Sequence, residues 1–491
     1  MEKIQKIKLT IIVVIIGVVI GLGYIFLILP GQIEKDMLSK IPDSVKLNYE
    51  NFSLDYMKQG VVLSNVDIKI NEFDGVINAS EMRLQDLDDG NISFSIKLIN
   101  VDSESLGLNY QAKQFSADLV YLPGIKLISD EFKKDELSGL LALNNANIKM
   151  MKVKDSKLKV KDDYNDVQIN FNDFSIAEIG NGLVKDFYLD SFSFNKKISN
   201  DRSNEIRIGV LSINSFPIPD QEIIKIDDLL TLLARNEIGS VKIMDVDYKI
   251  KKGNESKFCC SVSQILLNKP KIELSSLGVP YIADIKLDVQ KVVFPLEEIP
   301  RDVRKFLSKL VEGDSLSVNL SIHIKSNHIE KIFSTEISLG EENLSDLSLG
   351  ISFEDVPDDF FDLSKASDKE RMRLFKKIGN TKLTKGNISY KENGLVNKFL
   401  TIQSKENRTS VNEFKKELIS FVELESRKSN SEKFKKNINQ LITFIKQPIS
   451  LKIEINPENP LEISKIVPLA LTDRERLNKL IDLSVTANRI K

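Results

Sequence analysis

The segment GVVLSNVDIKI, residues Gly60 to Ile70, carries the pattern that decides the fold. Its apolar residues alternate at Val61 and Leu63 and resume at Val66, so the alternation slips by one residue at Ser64-Asn65. Alternation places apolar side chains on one face of a strand, and one extra residue returns them to that face after a bend. The pattern therefore predicts a β-strand with a bulge or a corner at the slip.

The same slip recurs elsewhere in the chain. Full copies begin at Leu141 and Val241, and partial copies begin at Ile169 and Phe187. The residue at the slip is Asn65, Asn145, Asp173, Ser191 or Asp245. Such side chains bond to nearby backbone and tolerate unusual backbone angles, which favours a corner over a chance recurrence of common residues.

Other segments alternate without a slip. They are Ile92, Phe94, Ile96 and Leu98, followed by residues 316–324, 347–353 and 449–455. One apolar face and one polar face are typical of antiparallel sheet.

Apolar stripes at helical spacing predict helices late in the chain, at residues 303–311, 411–422 and 434–445. Capping boxes at Ser410/Glu413 and Thr472/Glu475 predict the start of the second of these and of a short final helix. A further helix is predicted at 223–234. The fold class that follows is α+β and predominantly antiparallel β, with long twisted or curved sheets and helices mainly in the C-terminal third.

Residues 9–29 contain no charged side chain. A run of this length is enough to cross a bilayer core of about 30 Å as a helix. Lys3, Lys6 and Lys8 precede this run, so the positive-inside rule predicts a cytoplasmic N-terminus and a single pass. A cleaved signal peptide is the alternative, but the run is long and no small-residue cleavage site follows it. The predicted anchor residues are Leu9, Ile11, Ile12, Val13, Val14, Ile15, Ile16, Val18, Val19, Ile20, Ile25, Phe26, Leu27 and Leu29.

The predicted organisation has four parts. Residues 1–30 form the cytoplasmic tip and the anchor, 31–215 a β-rich domain, 216–360 a second β-rich domain, and 361–491 a mixed and more helical region.

Composition excludes several classes of protein. The 69 Lys and Arg residues nearly balance 71 Asp and Glu, so the totals indicate no nucleic-acid partner. The two cysteines, Cys259 and Cys260, are adjacent and point to opposite faces of a strand, which excludes a disulfide between them. We expect at least one to be a small core residue.

The chain shows no familiar site for chemistry. Its two histidines, His323 and His328, have only Glu330 as a nearby further ligand, so we expect solvated histidines and no metal site. No Walker A, dinucleotide, G-x-S-x-G, HExxH or EF-hand motif is present. The prediction is a protein that is not an enzyme, with no catalytic residue and no cofactor.

A lone N-terminal anchor followed by strands such as GVVLSNVDIKI, GNISFSIKLINVD and IGSVKIMDVDYKI resembles the AsmA-like group of bacterial envelope proteins. The C-terminal part, from GLVNKFL to LIDLSV, looks more like uncharacterised envelope proteins of α-proteobacteria. The AsmA-like resemblance implies an inner-membrane protein with a periplasmic β-sheet groove. It also implies a role in moving phospholipid or in assembling the outer membrane.

Two hypotheses follow for the function. In the first, the apolar face of a curved sheet receives phospholipid or another hydrophobic cargo. In the second, helices cover that face and the sheet is a scaffold for an envelope protein. The sequence leaves both open, because covered and uncovered faces alternate in the same way.

Overall fold

The computed structural model describes residues 45–55, 60–70, 73–87, 91–103, 107–121, 147–161, 166–180, 183–199, 202–217, 239–252, 255–274, 280–311, 313–341, 343–357, 377, 379–427, 431–472 and 474–488. The predicted anchor, the slip at Asn145 and the helix predicted at 223–234 lie outside these residues. No helix within the described residues has the length and apolar character needed to span a bilayer. The described residues fall into two compact units, which divide between Phe258 and Cys259. The boundaries expected near residues 215 and 360 stay predictions.

The first unit is antiparallel sheet in which most strands pair with the next one along the chain. Its strands are β1 (Val45–Asn48), β2 (Asn51–Asp55), β3 (Gly60–Ile70), β4 (Phe73–Leu87), β5 (Asn91–Ser103), β6 (Leu108–Tyr121), β7 (Asn147–Lys161), β8 (Asp166–Ile176), β9 (Glu178–Gly180), β10 (Leu183–Ser199), β11 (Arg202–Pro217) and β12 (Val241–Lys252). Strands β1 and β2 both pair with β3, and β8 and β9 both pair with β10. The strands are joined mostly as hairpins, which explains why the sheet is antiparallel throughout.

One row of residues crosses this sheet at the position of the slip, and we call it the crease. It runs through Glu50, Asn65, Ser80, Leu98, Lys113, Asp155, Asn172, Ser191, Gly209 and Asp245. Every second strand has a left-handed residue there: φ is 49° at Asn65, 47° at Leu98, 47° at Asp155, 52° at Ser191 and 53° at Asp245. A left-handed residue interrupts the alternation of side chains along its strand. That residue and the one before it therefore both face the polar side of the sheet.

The crease corrects the predicted mechanism of the slip. Ser64 pairs with Glu81 and Val66 pairs with Ala79, so the register between β3 and β4 is the same on both sides of Asn65. Neither strand contains an extra residue at this point, because the alternation of each strand is interrupted in the same row as that of its neighbours. The corner is therefore a backbone feature shared by the whole sheet, in contrast to a bulge in one strand.

The predicted slips at Asn65, Ser191 and Asp245 are confirmed as left-handed corners. The slip predicted at Asp173 is misplaced by one residue, since the crease crosses β8 at Asn172. The plain alternation predicted through Leu98 is wrong. Leu98 is itself left-handed and 62% exposed, and Ile99 takes its place in the core.

The apolar face of the first unit is buried. Leu63, Val66 and Ile68 of β3 are each 1% exposed, and the core continues through the following strands to Val184 of β10. A row of phenylalanines packs against this core, with ring centroids 6.0 Å apart for Phe171–Phe174, 5.4 Å for Phe174–Phe187 and 5.9 Å for Phe187–Phe216.

The second unit is also antiparallel. Its strands are β13 (Glu255–Leu267, from Cys259), β14 (Lys271–Leu274), β15 (Pro280–Pro295), β16 (Ser315–Asn327), β17 (Ile332–Glu341), β18 (Ser345–Glu354), β19 (Lys382–Glu392), β20 (Ser450–Ile455), β21 (Leu461–Glu462) and β22 (Ser484–Ala487). Strands β15 to β20 pair in chain order and β22 pairs with β20. The strands predicted at 316–324, 347–353 and 449–455 are confirmed.

Helices occur mainly towards the C-terminus, as predicted. They are α1 (Arg301–Leu310), α2 (Leu395–Glu406), α3 (Val411–Arg427), α4 (Glu432–Lys446), α5 (Ile463–Thr472) and α6 (Arg474–Leu480), with a short 3₁₀ turn at Leu296–Glu298. The capping box at the start of α3 is confirmed. The Glu413 amide donates to Ser410 Oγ at 3.2 Å, and the Ser410 amide donates to Glu413 Oε2 at 2.9 Å. The cap predicted at Thr472 is wrong, because Thr472 ends α5 and its hydroxyl donates to the Pro468 carbonyl at 2.8 Å.

Helix α4 covers the outer edge of the last strand, β22. Asn437 Oδ1 accepts from the Val485 amide at 3.0 Å, and its Nδ2 donates to the Leu483 carbonyl at 2.8 Å. Gln440 Oε1 accepts from the Ala487 amide at 3.0 Å. These amide side chains satisfy strand groups that would otherwise be free to pair with another chain.

Candidate functional site: an open apolar band on the second sheet

The central strands of the second unit expose a continuous group of aliphatic side chains, which we call the apolar band. Its residues are Ile337, Leu339, Leu349, Ile351 and Ile388, and their exposed fractions lie between 38% and 47%. Ile337 pairs directly with Leu349, and Leu349 pairs with Ile388, so they share one face of the sheet. Leu339 and Ile351 lie two residues further along their strands and face the same way.

The band is bounded at one end of its strands by a small core. Phe333 and Phe353, which share the face of the band, pack against buried Ala283 and Val356. At the other end, Tyr390 of β19 meets Phe444 of α4 edge to face, with ring centroids 5.8 Å apart. The aliphatic residues between these aromatic groups are the ones that stay open.

The row of paired residues that contains Ile388 continues into β20 and β22, where helix α4 covers the sheet. Ile388 pairs with Ile453, and Ile453 pairs with Val485, which is only 8% exposed beside α4. Among the described residues, the helical cover therefore reaches β22, while β17 to β19 remain open.

Glu392 holds helix α2 at the border of the band. Its carboxylate accepts from the amides of Gly394 at 3.1 Å, Val396 at 3.0 Å and Asn397 at 3.2 Å, and from the Tyr390 hydroxyl at 2.5 Å. A carboxylate is favourable at a helix N-terminus, where several amides lack partners. Burial, and then the neighbouring carboxylate, raise the pKa of Tyr390 well above its usual value, so the phenol stays protonated and donates.

The opposite face of the same strands is polar, and its groups bond to one another. Ser338 Oγ donates to Ser348 Oγ at 3.1 Å, and Ser348 Oγ lies 3.3 Å from Glu336 Oε1. Ser321 Oγ donates to Asp288 Oδ1 at 2.6 Å. This hydroxyl, followed by the Lys286 ammonium, lowers the pKa of Asp288 below its usual value.

The histidines differ from each other in their surroundings. His323 lies on the polar face, with Nε2 2.9 Å from Asp284 Oδ1. His328 is buried at 6% exposure in the turn after β16, so the expectation that it is solvated is wrong. Within the described residues, no group of three or more His, Cys, Asp or Glu side chains is placed to hold a metal ion.

Both cysteines are half-buried in β13. None of the residues of the apolar band is a nucleophile, an acid or a base, and their side chains offer only apolar surface. The sequence showed that the band residues share a face, but it did not show that this face is open.

A family model described only as an uncharacterized protein matches residues 338–488, which hold Leu339, Leu349, Ile351 and Ile388 of the band together with helices α2 to α6. No curated protein matches the chain.

Proposed function

We propose that this chain is a non-enzymatic protein of the bacterial cell envelope that holds lipid acyl chains or similar hydrophobic cargo in outer-membrane biogenesis. The observation that carries the proposal is the apolar band, because a sheet face that exposes five aliphatic side chains together is a binding surface. The resemblance to the AsmA-like group agrees with this function.

The chemistry of the band favours an alkyl chain as the occupant. Its side chains are isoleucine and leucine alone, with no hydrogen-bonding group among them. Protein interfaces usually place tyrosine, tryptophan or arginine at their centre. An alkyl chain needs only apolar area, and each buried methylene contributes about 0.8 kcal/mol.

The proposed location is the inner membrane, with residues 9–29 as a single-pass anchor and the rest of the chain in the periplasm. The uncharged run and the lysines before it support this arrangement. Protease treatment of spheroplasts tests it: the β-rich part should be digested from outside, and its protection would place it in the cytoplasm.

A photo-crosslinking residue at Leu349 tests the cargo. Ser348 is the matched control, because adjacent residues on a strand face opposite sides of the sheet. We expect the full-length protein with the probe at Leu349 to crosslink to lipid in membranes, and the protein with the probe at Ser348 not to. Equal lipid crosslinking at both positions, or none at Leu349, would refute the proposal.

One observation favours the alternative, a scaffold for an envelope protein. Phe421 and Leu424 of α3 are 65% and 55% exposed and lie one helical turn apart. An exposed aromatic residue beside a leucine is typical of a protein contact. A probe at Leu349 that captures a protein in place of lipid would support this alternative, especially if Phe421→Ser abolished the capture.

A further inference from the structure

Strand β7 of the first unit concentrates lysines on its outer face. Its sequence, NIKMMKVKDSKLKVK, contains lysine at 149, 152, 154, 157, 159 and 161. Every one of these lysines is exposed, while Met151, Val153 and Val160 of the same strand are buried. The crease at Asp155 makes this possible: it shifts the alternation by one, so that Lys154 and Lys157 face the same side.

The neighbouring strands leave much of this charge uncompensated. Lys157 lies between Gln111 of β6 and Asn170 of β8, and Lys159 lies between Asn109 and Gln168.

Lys152 lies between Ser116 and Ser175 in the same way, and Lys154 has a carboxylate on one side only, that of Asp173. Asp155, the crease residue of β7, forms an ion pair with Lys113, at 3.3 Å from Lys113 Nζ to Asp155 Oδ2. Its carboxylate is therefore paired with Lys113 and not with Lys152 or Lys154. We call Lys152, Lys154, Lys157 and Lys159 the lysine strip. The near-neutral total charge of the chain conceals this local excess.

The residue types of the strip indicate the kind of partner. Lysines two apart on a strand are spaced by about 7 Å, and each presents a single flexible charge without the fork that arginine uses for individual phosphates. Single-stranded nucleic acids are normally held by aromatic stacking, but the cross-strand neighbours of Lys152, Lys157 and Lys159 are serine, asparagine and glutamine.

We propose that the lysine strip docks the first unit against an anionic phospholipid surface. A bilayer offers many phosphates without fixed positions, which suits a row of flexible ammonium groups. Each lysine near such a surface increases affinity about fivefold, and the attraction weakens as salt is added. This contact is independent of the apolar band and of the cargo proposed for it.

Amine acylation of the full-length protein tests the contact residue by residue. The protein is mixed with vesicles of phosphatidylcholine, or of phosphatidylcholine and phosphatidylglycerol in equal parts, and the labelled lysines are quantified by mass spectrometry. We expect the strip to react several-fold more slowly with the anionic vesicles and to recover at high salt. Lys405, Lys416 and Lys436, which are exposed on helices of the second unit, should react equally with both.

Equal labelling of the strip with both kinds of vesicle would overturn the proposal. So would protection by a single-stranded oligonucleotide that the anionic vesicles do not give, since that result would assign the strip to nucleic acid.

A charge-matched pair of variants gives a second test. Since residues 9–29 are proposed to hold the protein in the bilayer in any case, the readout is the acylation of Lys152, the strip lysine that remains. In Lys154→Gln/Lys157→Gln/Lys159→Gln, the protection of Lys152 by anionic vesicles should be lost, because three of the four contributions are removed. Lys405→Gln/Lys416→Gln/Lys436→Gln changes the net charge equally and should keep that protection as the wild type does. Equal protection of Lys152 in the two triple variants would refute the role of the strip. Thermal unfolding of both checks that glutamine, which keeps most of the lysine stem, leaves the fold intact.

Discussion

Gly209 of β11 lies directly opposite Asp245 of β12 in the crease, and a β-carbon at Gly209 would come within 2.9 Å of Asp245 Cβ. The left-handed backbone of Asp245, with φ of 53°, aims its side chain at the space that glycine leaves. The crease thus depends on a missing side chain on one strand as well as on unusual backbone on the next.

Gly209→Ala should therefore lower the free energy of unfolding by about 1–3 kcal/mol, because a strand must move to relieve the contact. Urea unfolding followed by circular dichroism measures this. Gly340→Ala is the control: its β-carbon would come closest to Asp346 Oδ1, at 2.7 Å, and that carboxylate can rotate away. Equal losses for the two variants would contradict the steric explanation.

Leu98→Gly should stabilise the first unit, although it removes a large apolar residue. A left-handed conformation costs a non-glycine residue roughly 1–2 kcal/mol, whereas the flexibility of glycine costs about 0.5–1 kcal/mol. Since Leu98 is 62% exposed, little packing is lost, and a net gain of about 0.5–1 kcal/mol is expected in urea unfolding. Ile96→Gly, two residues earlier at 2% exposure, should instead lose at least about 2 kcal/mol. A loss at Leu98 would show that its side chain packs in solution.

Leu349→Ala and Leu63→Ala make the same chemical change in two units with different cover. Leu63 is 1% exposed, so its truncation should cost about 2–5 kcal/mol through lost burial and a cavity. Leu349 is 41% exposed, and we expect a loss below about 1 kcal/mol in the same measurement. A large loss at Leu349 would mean that the band is covered.

Asn437→Ala should destabilise the C-terminal edge by about 1–3 kcal/mol, because the Val485 amide loses its acceptor in a buried place. Hydrogen exchange at the Val485 amide should accelerate in the variant, which urea unfolding alone would not reveal. Asn439→Ala, two residues along α4 and exposed, is the control and should change neither. Unchanged exchange at Val485 in Asn437→Ala would refute the role of α4 as an edge cover.

Glu205 should make the first unit sensitive to acid. Its carboxylate is buried, which alone would raise its pKa, but Lys251 at 3.0 Å and Arg207 at 2.5 Å together lower it. A lowered pKa means that the stabilisation is complete above the ordinary value of 4.5 and is lost as the pH falls through the folded value. Glu205→Gln should be less stable at pH 7 and should lose less on acidification below pH 4.5 than the wild type, as measured by urea unfolding at several pH values. Parallel pH profiles for the two proteins would contradict this.

The antiparallel strands and three of the corners could be predicted from the sequence. Asn65, Ser191 and Asp245 interrupt a clear alternation with polar residues that adopt left-handed angles readily. Leu98 escaped because nothing in its residue type signals such an angle. Helix α2 was not predicted, since its first turn is capped by Glu392 from the preceding strand and not by a residue at the usual capping position.

The openness of the apolar face could not be predicted at all. Leu63 and Leu349 have the same kind of alternating neighbours, yet one is buried and the other is exposed. Cover depends on which distant element packs above a strand, as α4 does beside Val485, and alternation carries no information about that. The lysines of β7 were visible in the sequence, but their common face depends on the corner at Asp155.

The unchanged register across the crease bears on how such a sheet is able to change in evolution. Strands β3, β5, β7 and β10 each carry the left-handed residue and are each followed by a partner that does not, and β12 carries it again. Two consecutive strands are thus the smallest block that duplication or deletion could add or remove while the corner stays aligned. Gain or loss of a single strand would place two strands of the same kind side by side, so homologues of different width should differ by pairs.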